Sequence, residues 1–365
     1  METKRKILLL SATVGAGHNM AANTIAKKFA SRGHDAFVLD MFAHDKEIQR
    51  CISDWGLKFM YNNPKLARTV YSYYQKKNFS FFDWFDARVK DHLIQRINDF
   101  APDVIISCHI AGHTFTHIFK PDIKKPFTDY FLATDYDMPP SMRPLTDDDY
   151  IIVPSEDFKN ELIEKGYDAR RLLPFGIPID EKYYKKLNKT DTVKKLGLKD
   201  FDPNKKTLLF MSGEKSLGKL FGYLKQIAQE NDFQIITVCG RNVKLKNRID
   251  KAKHKWRSKI YNYGFQQNID ELMTVSDFMF GKAGGLSSTE AIAKGLKIIS
   301  FKNIPPPEYC NLLYLEKTGH AIIISEIGGL VRLLSPETAI EPPKINLVNN
   351  TGESLYNFHF FTRPL

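Results

Sequence analysis

The chain has few cysteines and none placed where chemistry would use them. Cys51, Cys108, Cys239 and Cys310 are scattered over 365 residues. No two form a Cys-x-x-Cys pair, which speaks against a structural zinc site and a redox couple. Cys108 and Cys239 end apolar runs, where cysteine behaves as a small hydrophobe, so reduced thiols are expected. No apolar stretch approaches the ~18 residues needed to span a bilayer. The run Ile7–Leu10 follows charged residues and lacks the long apolar region and small-residue cleavage site of a signal peptide. The expected place is therefore the cytosol. There is no sequence repeat and no His-Glu-x-x-His helix. No RNP, KH or zinc-finger pattern occurs, so nucleic acid is not an expected partner.

What is present is an alternation. With 43% hydrophobic residues, the chain can bury two α/β cores. Short apolar runs alternate with amphipathic segments, the signature of parallel strands covered by helices. Strands are expected at Lys6–Ser11, Ala36–Asp40, Asp103–Cys108, Phe127–Ala133, Tyr150–Val153 and Leu172–Ile179. A helix from Ser155 to about Lys165 is closed by Gly166. A polar, Lys-rich stretch then runs to Pro203. The pattern restarts at Thr207–Met211, Gln234–Val238, Ser258–Tyr261, Asp277–Phe280, Lys297–Phe301 and Ala321–Ile324. This gives an α/β class of two Rossmann-like domains, 1–180 and 205–335, with a linker at 181–204 and a tail at 336–365. Two such halves facing across a cleft make a GT-B arrangement.

Two glycine loops carry the chemistry. In Ser11-Ala-Thr-Val-Gly15-Ala-Gly17-His18, a strand passes through a tight turn into a helix, whose N-terminus offers N–H groups and partial positive charge. The dinucleotide fingerprint would need glycine where Met20 stands, although Asp40 supplies an acidic residue after the second strand. At a helix N-terminus imidazolium is disfavoured, so His18 stays neutral near pH 7 and can serve as a general base. A plain capping role stays open. In Phe280-Gly-Lys-Ala-Gly284-Gly285-Leu-Ser287-Ser288-Thr289-Glu290, a glycine pair and three hydroxyls meet a helix start, a suitable cradle for a diphosphate. Glu290 reads as a ribose acceptor or as the carboxylate of a Ser287-x-x-Glu290 capping box.

The stretch Gly281–Ile299 (GKAGGLSSTEAIAKGLKII) resembles the donor motif of the diacylglycerol glycosyltransferase and monogalactosyldiacylglycerol synthase-like family, glycosyltransferase family 28. Other stretches match in order. They are Gly15-Ala-Gly17-His18-x-x-Ala21-Ala22, Pro102–Ser107 followed by His109, Ala133-Thr134-Asp135 and Phe175–Ile179. Val238-Cys239-Gly240-Arg241-Asn242 and Tyr263-Gly264-Phe265 look like loops bracketing a nucleobase. One departure stands out. Where the family has Pro-Gly-Gln-Glu, this chain has Pro305-Pro306-Pro307-Glu308 and then Asn311. The substitution removes a side-chain amide that would read sugar hydroxyls, and leaves the hexose open between glucose and galactose.

The resemblance implies an inverting, UDP-sugar-dependent hexosyltransferase acting on diacylglycerol. A hydroxyl attacks as UDP leaves, and Gly284, Gly285 and Ser287, with Ser212 and Gly213, stabilise charge on the β-phosphate. Gly17, Gly240, Arg241, Asn242, Gly264, Phe265, Glu290, Glu308 and Asn311 complete the expected donor set. His18 is the expected base or a phosphate contact, and Asp135 the alternative base. Asp135-Tyr-Asp137 also reads as a metal-binding DxD. It lies in the wrong half for the donor, so no metal or other cofactor is expected. His109, His113 and His117 recur every four residues. Zinc is the lesser reading, and His109 is expected near the acceptor.

Residues 46–97 interleave aromatics with ten Lys/Arg, a composition that favours the headgroup boundary of an anionic leaflet. Tyr73, Tyr74, Phe81, Phe82 and Trp84 form the expected membrane patch. The net charge of +11 suits the same surface. The expected setting is peripheral, on the inner face of the cell membrane. Two alternatives stand beside this reading. One is a UDP-N-acetylglucosamine transferase acting on a peptidoglycan lipid precursor. The other is a non-catalytic membrane-binding protein with a degenerate GT-B fold.

Overall fold

The computed structural model describes residues 3–362 except 14–16, 44, 46, 48–58, 60–61, 78–82, 140–148, 212–217, 307, 336–337, 340 and 342. The side chains of 74–77, 83–88, 218–220, 230 and 361–362 also lie outside it. The chain divides into two compact units, one built mainly from residues up to Ile179 and the other from Asp180 to Asn346.

The first unit is a parallel sheet of six strands: β1 (Lys6–Ser11), β2 (Asp35–Asp40), β3 (Val104–Ser107), β4 (Thr128–Leu132), β5 (Asp149–Ile152) and β6 (Leu172–Leu173). Their spatial order is β2-β1-β3-β4-β5-β6. Buried on both faces, β1, β3 and β4 read as unbroken apolar runs rather than alternating ones. Helices α1 (Gly17–Ser31), α2 (Pro64–Lys77), α3 (Asp83–Phe100), α4 (Ile110–Phe119) and α5 (Glu156–Glu164) connect them. The expected start and stop of α5 are present: Ser155 Oγ accepts from Phe158 N, and Gly166 sits at φ +93°. The core gathers Leu8, Leu10, Leu39, Leu93, Ile97 and Phe115.

The second unit opens in the stretch read as a linker. Residues 181–204 carry a 3₁₀ turn (Glu181–Tyr184) and α6 (Lys189–Leu196). Asn188 caps α6 by accepting from Asp191 N, and Gly197 ends it at φ +63°. The Lys-rich composition hides this helix, because its charges line a surface while the caps do the specifying. The sheet follows with β7 (Thr207–Met211), β8 (Gln234–Val238), β9 (Lys259–Tyr263), β10 (Phe278–Phe280), β11 (Lys297–Phe301) and β12 (Ala321–Ile324). Its order, β12-β11-β10-β7-β8-β9, is the Rossmann order 3-2-1-4-5-6 when counted from β7 as strand one. The connecting helices are α7 (Gly218–Glu230), α8 (Val243–Ala252), α9 (Ile269–Thr274), α10 (Gly285–Ala293), α11 (Glu308–Lys317) and α12 (Ile327–Leu334). Leu208, Leu224, Ile235, Phe280 and Leu330 lie in its core.

The tail divides. Up to Asn346 it belongs to the second unit, and from Leu347 it returns to the first. There α13 (Thr351–Asn357) lies on α1, with Glu353 bridging Lys28 and Arg32. Thr351 Oγ1 donates to the Phe175 carbonyl at 2.9 Å. Tyr130 and His359 share a hydrogen bond of 2.9 Å. The Phe175–Ile179 landmark of the sequence is thus the seat of the returning chain.

In each sheet the strand order reverses once, between β1 and β3 and between β7 and β10. Ligands in open α/β sheets bind beyond the carboxyl ends of the strands at such points. Both glycine loops leave strands that flank a reversal.

Candidate functional site

In the first unit, β1, β3 and β4 are adjacent and in register, Leu10 pairing with Ser107 and Ser107 with Phe131. Their carboxyl ends therefore deliver three segments to one place: the loop into α1, Cys108-His109 and Ala133-Thr134-Asp135. His18 is the second residue of α1. Its Nδ1 lies 2.9 Å from the Cys108 carbonyl oxygen and 2.9 Å from Thr134 Oγ1. A carbonyl only accepts, so Nδ1 carries the proton and the ring's Nε2 holds a lone pair. The His18 pKa lies below its ordinary value. Burial is the main cause, while the charge of Asp135 and the Cys108 hydrogen bond push the other way. The sequence reasoning placed the depression in the helix dipole, but burial carries it.

His109 meets His18 edge to face, with ring centroids 4.7 Å apart. It is the N-cap of α4, its Nδ1 accepting from Ala111 N at 3.2 Å, which places its own proton on Nε2. Burial and the neighbouring His18 hold its pKa well below the ordinary value. His113 and His117 follow on α4, with His113 buried against Phe131. Asp137 accepts from the Tyr71 hydroxyl at 3.4 Å. Gly17 opens α1, while Gly15 lies outside the described residues.

Asp40, the residue that kept a dinucleotide site open, is engaged by the loop itself. Its carboxylate accepts from Thr13 Oγ1, from Asn19 Nδ2 at 3.4 Å and from Phe42 N at 3.1 Å. It fastens the glycine loop instead of waiting for a ribose.

In the second unit, β10 runs through Gly281-Lys-Ala-Gly284 into α10. Gly281 is required by close approach: a Cβ there would stand 2.8 Å from the Met211 carbonyl oxygen. Ser212 and Gly213, which follow, lie outside the described residues. Gly284 is the N-cap and Gly285 the first helical residue. The capping box that the Ser287-x-x-Glu290 spacing would allow does not form. Ser287 is already inside the helix and its Oγ donates to the Gly284 carbonyl at 3.3 Å. Glu290 is one turn further along, buried and hydrogen-bonded to Tyr183. Burial pushes its pKa up to about 7, although Tyr183 and Lys182 pull it down.

The two expected residues on α11 reach the same loop. Asn311 is fully buried and donates from Nδ2 to the Ala283 carbonyl at 3.0 Å. Glu308 pairs with Lys282 at 3.2 Å. After β8 and β9, Gly240 takes φ +55°, and Arg241 stacks its guanidinium 5.6 Å from the Phe265 ring, which is 59% exposed. Gly264 lies against Gly240 and Lys246. Asn242 caps α8 by accepting from Leu245 N at 3.0 Å, a structural role for a residue read as donor-binding. Sequence reasoning missed Thr134 as the partner of His18, having passed over it for Asp135. It also missed Tyr183, Lys282 and Asn19. The position of Thr134 directly after a buried strand was the available signal; Tyr183 had none.

Of the expected membrane residues, Phe81 and Phe82 and the side chains of Tyr74 and Trp84 lie outside the described residues. Tyr73 is 54% exposed, and Leu66 and Val70 share its exposure on α2. Spacings of four and three put all three on one helical face. No described helix is long and apolar enough to cross a membrane.

Residues 18–179 match the family model of monogalactosyldiacylglycerol (MGDG) synthase, and residues 213–332 match the glycosyltransferase family 28 C-terminal domain. The processive diacylglycerol β-glucosyltransferase of Bacillus pumilus is 28% identical over 95% of this chain and 91% of its own length. The Bacillus licheniformis protein of that name is 26% identical over 98% and 92%. Among solved structures, Anabaena HepE in complex with UDP and glucose superimposes with a TM-score of 0.51, at 16% identity over 90% of this chain and 89% of its own. The Neisseria meningitidis UDP-GlcNAc 2-epimerase bound to UDP-GlcNAc gives 0.55, at 13% identity over 97% and 99%. These likenesses establish the GT-B fold. An MGDG synthase domain and a glycosyltransferase family 28 C-terminal domain thus follow one another along the chain, which is similar over nearly its whole length to diacylglycerol glucosyltransferases.

Proposed function

We propose that the protein transfers a hexose from a UDP-sugar to the hydroxyl of diacylglycerol, inverting the anomeric carbon, at an anionic membrane surface. The observation that carries this reading is the His18 imidazole with its proton on Nδ1 and a lone pair on Nε2, in a chain whose other unit presents a family 28 glycine loop at a helix start. A neutral ring with an open lone pair accepts a proton, which favours the base role over a phosphate contact. His18 takes the proton of the acceptor hydroxyl as its oxygen attacks the anomeric carbon. The bond from that carbon to the β-phosphate oxygen breaks, and UDP leaves. The start of α10 stabilises the charge gathering on the phosphate. The names of the curated relatives support glucose as the hexose and diacylglycerol as the acceptor. The apolar face Leu66–Val70–Tyr73, set beside Lys65 and Arg68, supports contact with an anionic leaflet.

The test is incubation with diacylglycerol in anionic vesicles and, in separate arms, UDP-glucose, UDP-galactose or UDP-N-acetylglucosamine, followed by lipid mass spectrometry. Glucosyldiacylglycerol is the expected product. A galactolipid alone would correct the sugar. Product only from UDP-N-acetylglucosamine with a peptidoglycan lipid precursor, or UDP-independent vesicle binding without product, would overturn the reading.

A further inference from the structure

We infer that Thr134 is the positioning residue of the base: its hydroxyl, with the Cys108 carbonyl, holds His18 in the tautomer and ring orientation that leave Nε2 open. This rests on the reading of His18 as the base. Histidine χ2 is a broad, roughly two-fold torsion, so a single acceptor leaves the imidazole free to swing or to turn over. Here one N–H faces two oxygens, each at 2.9 Å, one just after β3 and the other just after β4. The carbonyl belongs to the main chain after β3. The hydroxyl is the only side chain in that pair, and it is delivered rigidly. Threonine is β-branched and stiff at χ1, Thr134 is buried, and the preceding Ala133 N donates to the Ile152 carbonyl at 3.0 Å.

His109 limits the ring from another direction, standing nearly perpendicular to it at 81°. Its tautomer is set by the N-cap bond to Ala111, so it stays neutral and does not compete for the His18 proton. The arrangement differs from a histidine oriented by a carboxylate. Both acceptors on Nδ1 are uncharged, and Asp135 reaches His18 through its charge. An uncharged acceptor fixes the tautomer without strongly stabilising imidazolium. His18 can therefore be oriented and still remain unprotonated at neutral pH.

The experiment combines steady-state kinetics across pH with long-range ¹⁵N–¹H NMR of histidine-labelled full-length protein, using wild type, Thr134→Val, Thr134→Ser and His18→Ala. Wild type is expected to show the Nδ1–H tautomer at His18. Thr134→Val, close in shape but without the hydroxyl, should mix the tautomers and lower kcat by about tenfold, the worth of one hydrogen bond. Its KM for UDP-glucose should stay unchanged, and Thr134→Ser should restore both tautomer and rate. An Nε2–H tautomer in wild type overturns the inference without any variant. So does a Val variant that keeps the Nδ1–H tautomer and the full rate while His18→Ala is inactive; that result leaves the base reading standing. Full activity in His18→Ala overturns the base reading itself, and the positioning role with it.

Discussion

The two glycine loops use the same backbone device and end in different side chains. Each leaves a buried parallel strand at the reversal of its sheet and enters a helix, α1 in the first unit and α10 in the second. After β1 the loop is fastened from outside, Asp40 on β2 accepting from Thr13, Asn19 and Phe42. The residue it presents is an imidazole with neutral partners. After β10 the loop is fastened from below and behind, by the close approach of Gly281 to Met211 and by Asn311 on the Ala283 carbonyl. What it presents is a helix start with a hydroxyl. The lesson is that glycine and a helix N-terminus specify only an approach to a ligand. The side chains set next to them differ, an imidazole at the first loop and a hydroxyl at the second.

The largest effect should come from removing the group that distinguishes the first loop. His18→Ala should lower transfer about 10²- to 10⁴-fold, while UDP binding measured by calorimetry stays at its wild-type value. If UDP affinity falls in step with rate, His18 is a donor contact and the contrast between the loops collapses.

The next effect tests the second loop. Gly281→Ala forces a Cβ to within 2.8 Å of a main-chain oxygen that cannot swing away. It should cost about 1–3 kcal/mol in thermal unfolding and weaken UDP binding. An unchanged melting temperature with normal UDP affinity would mean that the loop is not held by this approach.

The smallest effect on transfer comes from a control at the other end of β4. Asp129 lies near the start of the strand that Thr134 follows, buried, hydrogen-bonded to Thr116 at 2.7 Å and paired in register with Asp149. Burial first, then Asp149, raises its pKa to about 7, against the pull of Thr116 and Lys120. The folded state therefore holds a proton that the unfolded chain gives up near pH 4. The contribution of this group is complete below pH 4 and is lost as pH rises through about 7. Asp129→Asn should gain stability relative to wild type by roughly 1–3 kcal/mol between pH 5 and pH 8, with transfer activity unmoved. A difference that shrinks as pH rises would reverse the assigned shift.

Much of the fold could be read without coordinates. The apolar runs located the strands because a parallel strand buried on both faces has no other way to be written. The boundaries of α5 and its cap followed from Ser155 and Gly166 for the same local reason. Within 181–204 composition and capping point different ways: lysines obscure α6, while Asn188 and Gly197 specify it. The capping box at Ser287 does not form because the chain enters α10 three residues earlier than the motif suggests, with Gly284 as N-cap, which carries Glu290 into the interior beside Tyr183.

Local structure thus lay open in the residues: where the strands run, which glycine loops lead into helices, and that a histidine stands at the first of them. The partners of that histidine did not. Cys108 and Thr134 are 90 and 116 positions away from His18, and only the side-by-side register of β1, β3 and β4 brings their carboxyl ends together. Burial at that junction depresses the His18 pKa, and a carbonyl chooses its tautomer. Neither is a property of any short segment, because both depend on what surrounds the ring once the sheet has formed.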